Sequence, residues 1–292
     1  MFRGLYVALV TPFKRDGTLN EDKLRELVDF HAREGTDGLV PCGTTGENPS
    51  FFDWDEHYRI VEIVVQAAQG RLKVVAGAGT NSTTRSAENV KRVEEIGADG
   101  ALVITPYYNK PTQIGLYNHF LKIAESSSLP LMLYNVPSRT GVDILPETVA
   151  RLAELPNVVA IKEATGSVER SSMIARLCGD KLGILSGDDA NTLPILAVGG
   201  QGVVSVAGNI IPKDLKAMIL AFTDGNLKSA RRRHLEMLSL FQAMFLETNP
   251  APVKAAMNIM GWDVGEVRQP LAPMSPSNVA KLKEVIASYR SA

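Results

Sequence analysis

The chain has 292 residues, 45% of them hydrophobic and 22% charged, with a formal net charge of −1. That length buries a full core unaided, and that charge excludes the basic surface needed to hold duplex nucleic acid or an anionic membrane. Two cysteines, Cys42 and Cys178, and four scattered histidines give neither a disulfide framework nor a zinc-finger spacing, so the expectation is a cytoplasmic protein.

The first apolar run, residues 6–10, is too short for a secretory leader, and no later stretch approaches the ~20 apolar residues of a membrane helix. It reads instead as a strand. An amphipathic stretch follows at 21–34, then a second run at 38–43 and a second helical pattern at 53–69. The alternation continues with runs at 73–79 and 101–106 and helical patterns at 83–96 and 114–126. Further runs stand at 131–136, 158–164, 183–187 and 202–207. The runs are almost continuously apolar, the pattern of parallel strands covered on both faces. Eight such units predict an α/β fold, a (β/α)8 TIM barrel over residues 1–225; a doubly wound sheet is the competing architecture. Residues 226–292 carry helical patterns and no strand, and are expected to form a C-terminal helical region.

In a barrel, chemistry gathers where strands end. Lys162 ends the sixth run, after Val158-Val159-Ala160-Ile161. Desolvating an ammonium there favours the neutral amine, a nucleophile for carbonyl carbon and a Schiff-base former. The plainer alternatives are a lysine that snorkels to water or pairs with Glu163. Tyr134 ends the neighbouring run and offers a phenol for proton transfer, or only an aromatic for the core. Thr44 and Thr45, between glycines, bring hydroxyls and amides toward a carboxylate, or simply cap a turn. Arg139 follows a proline turn, suited to clamping a carboxylate or to a solvated surface. Other features carry less. Gly77-Ala78-Gly79 is half a dinucleotide fingerprint, Gly43-Thr44-Thr45-Gly46 lacks the lysine of a phosphate loop, and Asp188-Asp189 reads as a helix cap. Arg231-Arg232-Arg233 reads as a solvated helix face, and His57 and His119 as structural histidines.

Gly43-Thr44-Thr45-Gly46-Glu47, Thr105-Pro106-Tyr107-Tyr108-Asn109-Lys110-Pro111, Tyr134-Asn135-Val136-Pro137-Ser138-Arg139-Thr140 and Ile161-Lys162-Glu163-Ala164-Thr165-Gly166 together resemble the dihydrodipicolinate synthase family, among the pyruvate-dependent class I aldolases. Ser186-Gly187-Asp188-Asp189 and Asn249-Pro250-Ala251-Pro252-Val253-Lys254 fit the same family, and the resemblance spans nearly the whole chain. It implies condensation of pyruvate with L-aspartate 4-semialdehyde in the diaminopimelate and lysine pathway, without a metal or organic cofactor. Lys162 is then the Schiff-base residue and Tyr134 the proton carrier, with Thr44 and Tyr108 completing a relay. Tyr108 comes from the neighbouring subunit of a tight dimer, two of which would associate. Thr45, Gly187 and the backbone at Val204 hold substrate, and Arg139 receives the semialdehyde carboxylate. Keto-deoxy sugar-acid aldolases and N-acetylneuraminate lyases share Lys162 and Tyr134, but the Tyr107-Tyr108 pair and Arg139 favour the synthase. A non-catalytic binding protein on the same fold is the alternative from another class. The chain departs from the family pattern at Asn48-Pro49-Ser50-Phe51-Phe52, with one extra residue. In lysine-inhibited members a pocket corresponds to Asn48, Pro49, His57, Asn81, Arg85 and Tyr107. Arg85 stands where those members carry an acid, so weak or no inhibition by L-lysine is expected.

Overall fold

The computed structural model describes residues 2–47 and 53–291, so the departure at residues 48–52 lies outside the described residues. Among the described residues eight short strands form: β1 Gly4–Ala8, β2 Gly38–Val40, β3 Lys73–Gly77, β4 Gly100–Ile104, β5 Leu131–Asn135, β6 Val158–Glu163, β7 Gly183–Ser186 and β8 Gly202–Ser205. They pair in chain order, and β8 closes in parallel on β1. The TIM barrel expected from the apolar runs is therefore the observed fold. Most runs extend past the strand they contain. After Val40 the backbone leaves the ladder, turning left-handed at Cys42 (φ 55°) and Glu47 (φ 61°). Those apolar run ends belong to the loops that build the site.

Among the described residues, nine α-helices lie between or just after the strands: α1 Glu21–Arg33, α2 Trp54–Ala68, α3 Thr83–Ile96, α4 Gln113–Ala124, α5 Pro137–Thr140, α6 Pro146–Leu152, α7 Val168–Cys178, α8 Thr192–Ala197 and α9 Pro212–Thr223. The C-terminal region adds α10 Leu227–Ala243, α11 Ala251–Ile259 and α12 Pro276–Ser291. Local chemistry fixes their ends. The Asp53 carboxylate accepts from the Asp55 and Glu56 amides to start α2, and Ser82 starts α3 through the Arg85 amide. Gly97, at φ 97°, stops α3 with a left-handed turn.

Side chains alternate across the wall. Tyr6, Val40, Val75, Leu102, Met132, Ala160, Leu185 and Val204 fill the barrel. Their neighbours pack outward against the helices in a layer that runs on into Met237, Leu240, Phe241, Met257 and Leu282 of the C-terminal helices. Strand β6 breaks the alternation once. Leu131 pairs with Val158 but Met132 pairs with Ala160, so Val159 is one residue extra. Val158 lies in the outer layer, whereas Ala160 faces inward. Among the described residues no helix is long and apolar enough to cross a membrane.

Candidate active site

Lys162 stands on β6 in register with Tyr134 of β5 and Leu185 of β7. It is only 4% exposed, and its Nζ lies 4.2 Å from the centre of the Tyr134 ring. Glu163 is not its partner. One residue on, Glu163 faces outward, where its carboxylate accepts from Arg170 Nε and Asn135 Nδ2, each at 3.2 Å. Arg170 also binds Asp143 at 2.9 Å, and Asn135 donates to the same carboxylate at 2.8 Å. This outer network ties β5, β6 and α7 together behind the two residues that face the cavity.

The loop after β2 delivers the threonines. A Cβ on Gly46 would lie 2.8 Å from the Cys42 nitrogen and 3.1 Å from the Leu9 carbonyl oxygen, so the close turn requires glycine. The Glu47 amide donates to the Thr44 carbonyl at 3.1 Å. Thr45 is buried, and its hydroxyl accepts from Asn249 Nδ2 at 3.0 Å. Arg139 comes from α5, where Pro137 starts the turn, and donates through Nη2 to the Asn249 carbonyl at 3.4 Å.

These side chains surround two adjoining cavities. One, of about 220 Å³, is lined by Lys162, Tyr134, Thr44, Thr45, Arg139 and Gly187. The other, of about 410 Å³, shares Thr44, Tyr134 and Arg139 and extends to Trp54, Gly79 and Tyr107. Tyr134 and Thr44 thus touch both chambers. Gly187 is required by close packing: a Cβ there would meet the Ala164 Cβ at 2.5 Å.

Six of the eight candidate residues converge on the smaller cavity. Val204 does not line it; its side chain belongs to the inner barrel layer, and Val206 lines the cavity instead. Tyr108 does not reach it either. It is 89% exposed and left-handed at φ 73°, held outward by a turn in which the Asn109 amide donates to the Tyr107 carbonyl at 2.9 Å. The cap expected at Asp188-Asp189 is half the story. Asp188 accepts from the Ala190 amide at 3.0 Å, but Asp189 is buried and accepts from the Val206 and Ala207 amides and the Ser205 hydroxyl. Burial pushes its carboxyl up to about 6, against the pull of those hydrogen bonds. His57 and His119 are buried in helices, as expected, and burial pulls both down to about 4. His119 Nδ1 lies 2.9 Å from the Thr83 hydroxyl. Sequence reasoning missed Phe245 and Asn249 as cavity residues. The signal for Asn249 was its place in a family-like motif, although that motif lies far beyond the last strand. Among the described residues no cluster of His, Cys, Asp and Glu is suited to a metal ion.

A buried amine beside a phenol, with hydroxyls and a guanidinium around one small cavity, is equipped to bind a keto acid, form an imine and move protons. Residues 1–289 match the model of the dihydrodipicolinate synthetase family. A 4-hydroxy-tetrahydrodipicolinate synthase of Geotalea daltonii is 54% identical over 290 residues, 99% of each chain. The crystal structure of dihydrodipicolinate synthase from Aquifex aeolicus superposes with a TM-score of 0.96 at 46% identity, over 99% of this chain and 98% of that one. The chloride-inhibited Acinetobacter baumannii enzyme, complexed with pyruvate, gives 0.97 at 39% identity over 99% of each chain. This chain belongs to the dihydrodipicolinate synthetase family.

Proposed function

We propose that the chain is a 4-hydroxy-tetrahydrodipicolinate synthase, condensing pyruvate with L-aspartate 4-semialdehyde in diaminopimelate and L-lysine biosynthesis. The observation that carries the reading is Lys162, buried in a small cavity against Tyr134 and sharing it with Thr44 and Arg139. The Lys162 amine attacks the keto carbon of pyruvate, and loss of water gives an iminium. The iminium withdraws electrons, so the methyl group releases a proton through Tyr134 and Thr44 and becomes an enamine. The enamine carbon attacks the aldehyde of the second substrate, and the new alkoxide takes up a proton. The amino group of that substrate then displaces Lys162 from the imine carbon and closes the ring. Lysine itself serves as the electron sink, so the steps balance without a cofactor.

Thr45 and Gly187 hold pyruvate in this reading, with Val206 in the place expected of Val204. Arg139, at the rim, receives the semialdehyde carboxylate bidentately. Tyr108 serves the cavity of a second subunit, completing the relay in a tight dimer, and two dimers associate. Its exposure and its left-handed backbone support that role, since such strain persists where function needs it. Two buried, unpaired cysteines fit a cytoplasmic setting. Borohydride reduction in the presence of pyruvate, followed by peptide mapping, tests the central step. The adduct is expected on Lys162 and is lost in Lys162→Arg, whose guanidinium stays protonated. An adduct elsewhere, or none, refutes the mechanism. A coupled assay with the semialdehyde and a downstream reductase tests the substrate.

A further inference from the structure

The loop bearing Thr44 and Thr45 is gripped by a buried ion pair from the C-terminal helices. Lys254, at the end of the first turn of α11, is 1% exposed, and Glu47 is fully buried. Lys254 Nζ donates to Glu47 Oε1 and to the Glu266 carbonyl, each at 2.7 Å. The other oxygen, Glu47 Oε2, accepts from the Arg268 amide at 2.9 Å. Both cations cover the Phe13 ring, Lys254 Nζ at 4.3 Å and the Arg268 guanidinium at 3.9 Å from its centre. Arg268 is held in turn by Glu56 and the Gly17 carbonyl.

Two charges taken this far out of water are expensive, and a buried pair is poor evidence for stability alone. Its placement suggests another use. Glu47 directly follows the Gly46 turn, and its amide binds the Thr44 carbonyl. The turn before α11 supplies Asn249, which donates to the Thr45 hydroxyl. One helix and its leading turn therefore hold both threonines, one through a side chain and one through Glu47. The Gly46 carbonyl is fixed separately, by the Thr11 hydroxyl at 2.9 Å.

We propose that Lys254 and Glu47 are positioning residues, their buried ion pair locking the 42–47 loop onto α11 so that Thr44 and Thr45 are presented to Lys162. This rests on the reaction proposed above. It makes the C-terminal helices part of the proton-transfer apparatus, acting through a loop they do not contain.

The test compares the unsubstituted chain with Lys254→Met, Glu47→Gln and the double variant. The double variant leaves no lone buried charge, so it keeps the test open if Lys254→Met fails to fold. Two steps are measured on the folded fraction: the borohydride-trapped pyruvate adduct, and exchange of pyruvate methyl protons for deuterium followed by NMR. The adduct needs Lys162; the exchange also needs the relay that includes Thr44. Exchange per adduct is expected to fall about tenfold or more, as catalytic groups misplaced by a fraction of an ångström lose rate steeply. Adduct yield per folded molecule, read at saturating pyruvate so that a weaker hold by Thr45 raises only the pyruvate needed, stays within about twofold. A merely structural pair would lower both readouts together, and an unchanged ratio in the double variant would overturn the proposal. Absence of the adduct in the unsubstituted chain would overturn the reaction on which it rests.

Discussion

Gly187→Ala is expected to damage the site out of proportion to one methyl group. The added Cβ would lie 2.5 Å from the Ala164 Cβ, 3.1 Å from the Ala164 Cα and 3.2 Å from the Glu163 carbonyl oxygen. Carbon atoms rest at about 3.5–4 Å, so the nearest contact is short by about 1 Å. Two of the three atoms are backbone, and the Gly187 amide donates to that same Glu163 carbonyl at 2.7 Å. The strain must therefore part β6 from β7 beside Lys162. Overpacking of this kind costs about 1–3 kcal/mol of stability. A shift approaching 1 Å in a reacting group costs on the order of 10²-fold in rate. Turnover should accordingly fall by about two orders of magnitude while the melting temperature drops by only several degrees, at about 2–4 °C per kcal/mol for a chain of this size. Steady-state rates and thermal melts on the same preparation measure both. The companion variant Ala164→Gly/Gly187→Ala removes the 2.5 Å contact and leaves the 3.1 and 3.2 Å ones. It should recover to within about tenfold of the original rate. Full activity in Gly187→Ala, or no recovery in the pair, would refute the packing argument.

Tyr108→Phe should lower turnover by about 10²–10⁴-fold, the usual contribution of a proton-transfer group, while the pyruvate adduct on Lys162 persists. A sedimentation-verified monomer with full activity would refute a relay shared between subunits. Inhibition by millimolar L-lysine should be weak or absent. Arg85, half exposed in the first turn of α3 and 3.1 Å from Glu88, sets a cation near the position where lysine-sensitive relatives offer an acid. Rates titrated with lysine at saturating pyruvate decide this, and Arg85→Glu should restore some sensitivity. Stability should fall on acidification from pH 6.5 toward 4. Burial pulls His31 down to about 3 and His57 and His119 to about 4, so the fold stays unprotonated where the unfolded chain takes up protons. Their stabilising contribution is present above pH 6.5 and is lost below it, at up to about 1.4 kcal/mol per pH unit for each histidine. Asp189 opposes this: its carboxyl, raised to about 6, keeps a proton that the unfolded chain releases as pH rises from 3.8 to 6. One carboxyl against three imidazoles leaves the net slope positive, and urea melts of unchanged midpoint between pH 7 and 5 would contradict it.

The barrel was legible because parallel strands covered on both faces leave nearly unbroken apolar runs. Strand ends were not, because Cys42, Pro106, Val136 and Ala164 are as apolar as the strands before them yet lie in loops. Lys162 stood out as a charge closing an apolar run. Its neighbour Glu163 was equally visible, and its outward turn onto Arg170 and Asn135 removes it from consideration. Phe245 was illegible as a cavity residue, and Asn249 was marked only by its family-like motif. They follow the last strand by a long stretch of helix, and nothing local marks them as returning to the strand ends. The direction of Tyr108 depends on a positive φ, which tyrosine rarely adopts and its sequence neighbours do not announce.

The extra residue at Val159 makes the length of β6 a chemical variable. Amine and carboxylate sit one peptide apart on that strand, on opposite sides of the wall. With a regular ladder the inward phase set by Val158 would pass to the other residue of the pair, and the chamber would receive Glu163. A cavity for an anionic keto acid would then be lined by an anion, and the lysine would be turned outward toward the Arg170 guanidinium. Insertions in the surface loops leave this parity untouched, whereas a change of one residue in β6 inverts it. Strand length here constrains the chain as strictly as the identity of the lysine.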